Sequence, residues 1–404
     1  MLGLSAAEGG ARLLSFLFYL LAARVLVPSQ FGVVRYTIAL SFVAFVALQV
    51  LVKALMKELG GARAEPERLR EVLGTGLVAG VLVLALSGAL VLLAAALGLT
   101  GSAEPLGLVA VLAGTACFQL YYAMGRGVGH VGRPALTYVG ASACQLVAFG
   151  LLAALGEPDV TTTLWIFGAT GALPPLVWEL FRPLLRGRPL PVTRDAAALL
   201  WRISAPLVLG QVAYMTWWSA DQIWVESALG TTQVGLYGAA KNVCQVFVVL
   251  PAGANGALLP RVAELRAAGR TPDALRLLYK TTVGLVAASA ALAVALILLR
   301  DPLLELLYGS AYAAAAGPLV GLSVAGTIYA GHFTLTGSAI GLGRPGISTA
   351  TICIAAVVEV LVLVLAPGAS GTFAAWTYAG AIGAASLVAL WLMVRADRTL
   401  RAGA

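Results

Sequence analysis

A small number of charged side chains lie in stretches of this sequence that are otherwise long and apolar. Arg12 precedes the run "LLSFLFYLLAA", Asp221 follows "YMTWWSA", and Glu359 lies within "TICIAAVVEVLVLVL". A charge in apolar surroundings is costly, so it tends to face a partner charge or an aqueous interior. These side chains are therefore the first candidates for a site that binds or moves an ion.

Asp221 and Lys241 have the spacing of an ion pair. Asp221 lies about nine residues before the turn at 229–235, and Lys241 lies about seven residues after that turn. Two antiparallel helices joined there would place both side chains at similar depth. Such a pair can be a structural clamp, or it can be a gate or coupling pair that opens during a functional cycle. The spacing leaves both interpretations open.

The other candidates also allow two interpretations each. Glu359 has no cation close to it in sequence, so it is either buried in its protonated form or a proton site. Arg12 either pairs with Glu8, one helical turn away, or faces a cavity. His332 is a packed side chain or a proton relay. The tryptophans of helix 7, at 217, 218 and 224, are predicted to anchor the helix at a membrane interface, the alternative being surfaces for sugar stacking.

The sequence lacks the motifs of several classes of enzyme and metal site. The chain contains no GxxxxGK[ST] phosphate loop, no HExxH and no nucleophile elbow, so the sequence does not predict an enzyme or a metal site. The four cysteines are far apart, with no CxxC and no Cys/His cluster, and are interpreted as small buried apolar side chains. No cofactor is expected.

The apolar stretches that carry these charges are long enough to cross a membrane. The 404 residues are 60% hydrophobic and only 11% charged, with a mean hydropathy of +0.93. About 20 apolar residues are needed for each crossing. The chain is therefore predicted to be an all-α polytopic membrane protein of about twelve transmembrane helices. The predicted spans are 4–26, 32–53, 72–97, 106–125, 134–156, 161–181, 203–228, 235–258, 281–299, 315–340, 346–366 and 371–394.

Basic residues predict the orientation. Most of the 26 Lys and Arg residues lie in alternate loops, including 53–70, 182–202 and 261–280. Because cytoplasmic loops are enriched in Lys and Arg, these loops and both termini are expected on the cytoplasmic side. The net charge of +8 follows from this topology, so no nucleic-acid partner is expected.

A weak repeat divides the chain into two similar halves. The stretch "ARVLVPSQFGVVR" at 23–35 returns as "ESALGTTQVGLYG" at 226–238, and two further short matches follow at similar offsets. The repeat predicts two pseudo-symmetric six-helix bundles, at 1–182 and 203–404, with a cytoplasmic connector at 183–202. Proteins built in this way place a central cavity between their halves.

The same stretches resemble a known family. Residues 23–32, "ARVLVPSQFG", are similar to the "ARLLGPEEFG" turn of the polysaccharide and O-antigen flippases, which belong to the multidrug/oligosaccharidyl-lipid/polysaccharide exporter (MOP) superfamily. Asp221 followed by "ALGTTQVGLYGAAK" at 228–241 is similar to the family's pattern across helices 7 and 8. Val27 and the pair at 29–30 depart from the family pattern, which leaves the substrate open.

The resemblance implies a transporter that moves a polyprenyl-pyrophosphate-linked sugar or oligosaccharide from the inner to the outer leaflet by alternating access. In this family, helices 1, 2, 7 and 8 line the cavity. The resemblance makes Arg12, Lys241 and Lys53 candidates for binding the pyrophosphate, because cations in a low-dielectric cavity attract it. It makes Asp221 and Glu359 candidates for gating or ion coupling. Arg24 and Arg35 flank the turn and are expected at the outer mouth.

The expected setting is a monomer in the plasma membrane, which in bacteria is the inner or cytoplasmic membrane. Its partners would be membrane lipids, the lipid-linked glycan, a polysaccharide polymerase and glycosyltransferases. The main alternative is a drug/cation antiporter of the related multidrug branch, which would need acidic cavity residues. A membrane-embedded glycosyltransferase or acyltransferase, and a scaffold without transport activity, are further alternatives.

Overall fold

The computed structural model describes residues 2–130, 132–156, 158–181, 190–366 and 370–402, and these residues form helices and short connections without a β-strand. The helices are α1 (Leu2–Val25), α2 (Pro28–Ala44), α3 (Val46–Gly61), α4 (Pro66–Ala96), α5 (Pro105–Gly127), α6 (Gly132–Leu155), α7 (Val160–Phe181), α8 (Arg194–Leu229), α9 (Thr231–Val243), α10 (Val246–Ala267), α11 (Thr271–Leu298), α12 (Arg300–Tyr308), α13 (Ala316–Gly341), α14 (Pro345–Leu365) and α15 (Gly371–Ala402). The prediction of an all-α fold is confirmed.

Most of the predicted spans correspond to helices that can cross a membrane. Within the described residues, ten helices are long and apolar enough, and the pair α2–α3, bent by 56°, makes an eleventh. The remaining predicted span, 4–26, coincides with α1, a helix of 24 residues that contains Arg12 and is not among the eleven. The chain is therefore a multi-pass membrane protein.

The chain forms two compact units, Met1–Met215 and Thr216–Ala404. The boundary lies within α8, whereas the sequence placed it at the connector 183–202. Residues 182–189 of that connector lie outside the described part of the chain, and residues from Arg194 onward already belong to α8. Helix α8 therefore begins at Arg194, before the start of the predicted span 203–228.

In the first unit, α5 is the helix on which the others pack. It contacts α7, α3 and α4, and its buried Leu120 and Met124 belong to the apolar core that it forms with α3 and α4. Against α7 the two backbones meet at glycines, because a Cβ atom on Gly114 would lie only 1.9 Å from the carbonyl oxygen of Gly168. The absence of side chains at this point lets α5 and α7 pack closely.

In the second unit, α13 has the corresponding role. It packs against α15, α11 and α10, and a Cβ atom on Gly321 would lie 2.9 Å from the Cβ atom of Ala375 on α15. Each unit thus has one buried helix whose small residues allow a close neighbour. This similarity of packing supports the repeat that was inferred from the sequence.

Both halves also begin with the same local design. Helix α2 starts at Pro28, which suits the first position of a helix because its missing N–H needs no partner there. Helix α9 starts after Gly230, which has a φ of 82°. Glycine adopts this positive φ without strain because it has no Cβ atom. The two turns that the sequence singled out therefore each reverse the chain between an opening helix and its successor.

In each unit, an arginine lies at the C-terminal end of the buried helix. Arg63, just after α3, donates to the carbonyl oxygens of Gly127 and Arg126 at the end of α5, at 2.8 and 2.9 Å. At the corresponding point of the second unit, the guanidinium of Arg266 lies against Gly343, where a Cβ atom would be 2.2 Å from it. In both cases a cation lies at the negative end of the buried helix.

Candidate functional site

The predicted Asp221–Lys241 ion pair forms in the second unit. The turn at Gly230 makes α8 and α9 antiparallel, and the Lys241 ammonium nitrogen lies 2.6 Å from Oδ2 and 2.8 Å from Oδ1 of Asp221. The same nitrogen donates to the carbonyl oxygen of Trp218 at 2.8 Å. Both side chains are buried, with 0% of Asp221 and 5% of Lys241 exposed. The three N–H groups of the ammonium thus have partners in the protein.

Tyr237 completes the hydrogen bonding of the carboxylate. It lies one helical turn before Lys241 on α9, and its hydroxyl donates to Oδ2 of Asp221 at 2.6 Å. A buried carboxylate is stable only when a charge and hydrogen bonds compensate its lost hydration. Asp221 has both, so the pair is a tightly held unit. Tyr237 was not among the residues predicted from the sequence, although its i, i+4 spacing from Lys241 was a usable signal.

Aromatic rings surround the ammonium of Lys241. It lies 5.4 Å from the ring centre of Trp218, 6.0 Å from that of Tyr237 and 4.9 Å from that of Tyr378 on α15. Ring faces attract cations at such distances, and the attraction grows when water is excluded. The rings therefore help to hold the ammonium of Lys241 in place beside Asp221.

Stacking on Trp217 holds the ring of Tyr378 in place. Trp217 is fully buried and lies between Tyr378 and Tyr329, with centroid distances of 4.7 and 5.5 Å and interplanar angles of 15° and 17°. The prediction that Trp217 is an interface anchor is therefore wrong, because the side chain joins α8 to α13 and α15 in the core. Its spacing on the helix could not distinguish a core-facing side from a lipid-facing side.

A small cavity borders the ammonium. It has a volume of about 30 Å³ and is lined by Trp218, Lys241, Cys244, Gln245, Phe247, Val248, Leu322, Gly326, Tyr329 and Tyr378. This volume suits one or two water molecules rather than a large ligand. In this conformation the space beside the Lys241 ammonium is therefore too small for a large ligand.

Glu359 lies in the same region. It is fully buried on α14, and it is within electrostatic range of both Asp221 and Lys241. Neither of its carboxyl oxygens has a hydrogen-bond partner in the described part of the chain. The structure thus brings together three of the predicted residues, Asp221, Lys241 and Glu359. The sequence had predicted a contact between Asp221 and Lys241 only.

The predicted cations of the first unit lie on other helices. Arg12 is near the middle of α1 and is partly exposed, and the side chain of Glu8, its alternative partner, lies outside the described part of the structure. Lys53 on α3 is exposed along its stem, and its ammonium donates to the side-chain oxygen of Gln211 on α8. Lys53 therefore has a neutral polar partner on α8.

The two arginines that were expected at the outer mouth differ from each other. Arg24 ends α1 and is exposed. Arg35 is only 6% exposed, and its guanidinium lies 4.7 Å from the ring centre of Tyr19 on α1. Arg35 thus connects α2 to α1, and its place at an outer mouth stays a prediction.

Comparison with known proteins identifies the fold. Residues 206–365 match the MatE family model, and this region contains Asp221, Lys241 and Glu359. A multidrug resistance MATE family transporter of the MOP superfamily, solved in an inward-facing conformation, has a TM-score of 0.77 at 15% identity, covering 97% of this chain and 95% of its own. The chain has a MATE-like fold.

Two other solved structures share this MATE-like fold. The lipid II flippase MurJ, in an inward closed conformation, has a TM-score of 0.78 at 13% identity, covering 97% of this chain and 87% of its own. A MOP superfamily transporter from Pyrococcus furiosus, described as having a binding pocket of reverse polarity, has a TM-score of 0.67 at 14% identity, covering 99% and 96%. No curated protein sequence matches the chain significantly.

Proposed function

We propose that this protein is a transporter that flips a polyprenyl-pyrophosphate-linked sugar or oligosaccharide from the inner to the outer leaflet of the plasma membrane by alternating access. Its MATE-like fold supports the transporter class, since the solved proteins that share this fold are described as transporters and a flippase. The charged residues of the two units support an anionic substrate over a cationic one.

The observation that carries the proposal is the distribution of charge among the polar groups of the membrane-spanning helices. Asp221 is already neutralised by Lys241 and Tyr237, so it does not offer a negative site to a cationic drug. Lys53, in contrast, hydrogen-bonds to the neutral side chain of Gln211, and Arg12 is a partly exposed cation near the middle of α1. A pyrophosphate is the kind of group that such cations bind, especially where water is excluded.

The proposed roles differ among the three predicted cations. Arg12 and Lys53 bind the pyrophosphate. Lys241 is bonded to Asp221 in this conformation, so it reaches a headgroup only after this ion pair opens, and we assign the pair to gating. The lipid tail stays in the bilayer because it is apolar and gains nothing from entering a polar cavity.

A drug/cation antiporter is the second candidate. Glu359 favours it, because a buried carboxyl without a hydrogen-bond partner is an acid that a cationic substrate could use. The inward-facing structure with this fold is also described as a multidrug resistance transporter. An antiporter would have to bring its substrate into contact with Glu359, which is 0% exposed in this conformation.

Reconstitution separates the two functions. The purified protein would be placed in liposomes that contain a fluorescent polyprenyl-pyrophosphate sugar, and the fraction of labelled lipid open to a periodate or enzyme probe would be followed. We expect faster exchange between leaflets with the protein than without it, and no competition by organic cations. Uptake of organic cations without any movement of the lipid-linked sugar would contradict the flippase and support the antiporter.

A further inference from the structure

Three aromatic side chains on α5 and α6 of the first unit contact one another. The ring centre of Phe118 lies 5.8 Å from that of Tyr122 and 5.4 Å from that of Tyr138, and the two tyrosine rings are 6.3 Å apart. All three side chains are partly exposed. By contrast, the rings of Phe18 and Phe149 in the same unit pack together at 0% exposure. The first three rings therefore keep surface that the protein does not cover.

Tyr19 of α1 continues this row of rings. The hydroxyls of Ser15 on α1 and Ser142 on α6 are 3.2 Å apart, and Tyr138 lies one turn before Ser142 on α6. Tyr138 is therefore on the side of α6 toward α1, and it is within electrostatic range of Tyr19. Tyr19 is also partly exposed. We call these four side chains the aromatic path: Tyr19, Phe118, Tyr122 and Tyr138.

An arginine covers a ring at each end of the aromatic path. Arg126, at the end of α5, lies 5.5 Å from the ring centre of Tyr122 and donates to its hydroxyl at 3.1 Å. Arg35 of α2 lies 4.7 Å from the ring centre of Tyr19 and hydrogen-bonds to its hydroxyl. Two cations placed in this way repel a cationic ligand and favour a neutral or negatively charged one.

Arg12, to which we assign pyrophosphate binding, lies near the aromatic path. It precedes Tyr19 by seven residues, so the two share one face of α1 and are about 10 Å apart along its axis. Helices α1 and α6 run in the same direction, since the contacts between them advance along both chains together. Arg12 lies three residues before Ser15, and Tyr138 lies four residues before Ser142, so Arg12 and Tyr138 are at similar depth. A pyrophosphate on Arg12 therefore places its sugar beside these rings.

Sugar rings have the chemistry that such a surface binds. The C–H groups on one face of a sugar ring carry a small positive charge and pack on the negative face of an aromatic ring, and the sugar hydroxyls can bond to tyrosine hydroxyls. Helix packing alone favours complete burial, as in Phe18 and Phe149. The arginines at the two ends attract an acidic sugar and disfavour an organic cation.

We propose that the aromatic path binds the sugar units of the lipid-linked substrate, with the ring of Tyr138 against the sugar that is attached to the pyrophosphate. The proposal rests on the proposed transport function and identifies the part of the first unit that recognises the glycan. Phe118 and Tyr122 extend the surface toward Arg126, and Tyr19 extends it toward Arg35. Contacts of this kind accept different sugars, because most sugar rings have an apolar C–H face.

Exchange of two lipids in liposomes tests the sugar contact. One is a fluorescent polyprenyl-pyrophosphate N-acetylglucosamine and the other is the same lipid without the sugar. An added enzyme that hydrolyses the pyrophosphate reports how much of each has reached the outer leaflet. Tyr138→Leu should lower the ratio of sugar-bearing to sugar-free exchange by roughly twofold to tenfold, the range for the loss of one ring contact. Tyr138→Phe keeps the ring and should keep most of this ratio.

Two other rings of the first unit provide controls. Trp165→Leu removes a ring of α7 that is 51% exposed and lies outside the aromatic path, and it should leave the ratio at the wild-type value. Phe149→Leu removes a core ring, so any loss that it causes should affect both lipids alike. If Tyr138→Leu slows the two lipids equally, its ring only stabilises the fold and the proposal is overturned.

Saturation-transfer NMR tests the contact without transport. The probe is geranyl-pyrophosphate N-acetylglucosamine, added to detergent-solubilised protein whose aromatic protons are irradiated. The sugar-ring protons should receive saturation from the wild-type and Trp165→Leu proteins, and at most half as much from the double variant Phe118→Leu, Tyr138→Leu. No saturation from the wild type, equal saturation from the double variant, or displacement of the sugar by tetraphenylphosphonium would overturn the proposal. If the sugar signal behaves as expected but the wild type moves no lipid-linked sugar, the proposed function fails and the sugar-binding surface stands.

Discussion

At the scale of single residues, the buried ion pair is the most demanding feature of the second unit. Asp221 is 0% exposed and depends on Lys241 and on the Tyr237 hydroxyl for its stability. Removing one partner of such a pair leaves an uncompensated buried charge, and typically costs about 3 to 5 kcal/mol. Replacing both partners by neutral groups removes this charge and costs much less.

This asymmetry gives the first prediction. Lys241→Met should lower the thermal unfolding midpoint of the detergent-solubilised protein strongly, because Asp221 is then buried without its cation. The double variant Asp221→Asn, Lys241→Met should recover most of the lost stability, because no charge is left. The midpoint can be followed by size-exclusion fluorescence after heating. Equal losses in the single and double variants would show that packing, and not charge, dominates at this site.

Arg12 gives the second prediction at this scale. If it binds the pyrophosphate, Arg12→Ala should reduce lipid-linked sugar exchange in liposomes at least tenfold, because one strong charge-assisted contact is worth about 1.5 to 3 kcal/mol. Arg12→Lys should retain part of the activity. Arg24→Ala is the matched control, since Arg24 ends the same helix and is exposed. Normal exchange by a correctly folded Arg12→Ala protein would exclude Arg12 from the site.

The sequence predicted part of this chemistry by counting residues. The depth of Asp221 and Lys241 follows from their distances to one turn, so their pairing could be predicted from local spacing alone. The contacts of Tyr378 and Glu359 depend on α14 and α15, which are more than a hundred residues away in sequence. Their rotation toward Lys241 is set by the packing of whole helices, which local spacing does not determine.

At the scale of helices, close packing of α5 against α7 depends on glycine. A Cβ atom on Gly114 would lie 1.9 Å from the carbonyl oxygen of Gly168, which is a backbone atom and cannot turn away. Gly114→Ala should therefore destabilise the protein by about 1 to 3 kcal/mol or more. Gly88→Ala on α4, with no atom within 4 Å of its new Cβ, should be neutral or slightly stabilising. Thermal midpoints compared between these two variants measure the difference.

The comparison isolates the contact between α5 and α7, because both changes add one methyl group to a helix that spans the membrane. Helix propensity alone favours alanine over glycine at both positions. Only the contact with α7 distinguishes them, so a similar midpoint for the two variants would mean that α5 and α7 are not in close contact. A lowered midpoint for Gly114→Ala alone would support the packing described here.

Helix boundaries show what a sequence pattern can and cannot predict. The starts of α2 and α9 follow from Pro28 and Gly230, whose backbone preferences are known in advance. The break at Phe45, where α2 and α3 bend by 56°, has neither proline nor glycine beside it. The sequence therefore suggested one span at 32–53, because no proline or glycine marks the break in advance.

At the scale of the whole molecule, the repeat is visible in both units as a common order of helices. Each unit has a buried helix with small residues at its closest contact, α5 in one and α13 in the other, and an arginine at the end of that helix. The sequence could detect this repeat only through a few matches at the turns. Most of the remaining positions have diverged, because lipid-facing and core positions accept many apolar side chains.

Orientation in the membrane is the last prediction and follows from charge alone. Gly101, between α4 and α5, and Gly269, between α10 and α11, should accept inserted epitope tags, because both are exposed and have positive φ angles. A Cβ atom placed on Gly269 would have no atom within 4 Å. The loop at 261–280 carries many of the basic residues, so positive residues should hold it in the cytoplasm. An antibody should therefore reach the tag at 101 in intact spheroplasts, and the tag at 269 only after permeabilisation. The reverse pattern would place both termini outside and would also reverse the direction of flipping that we propose.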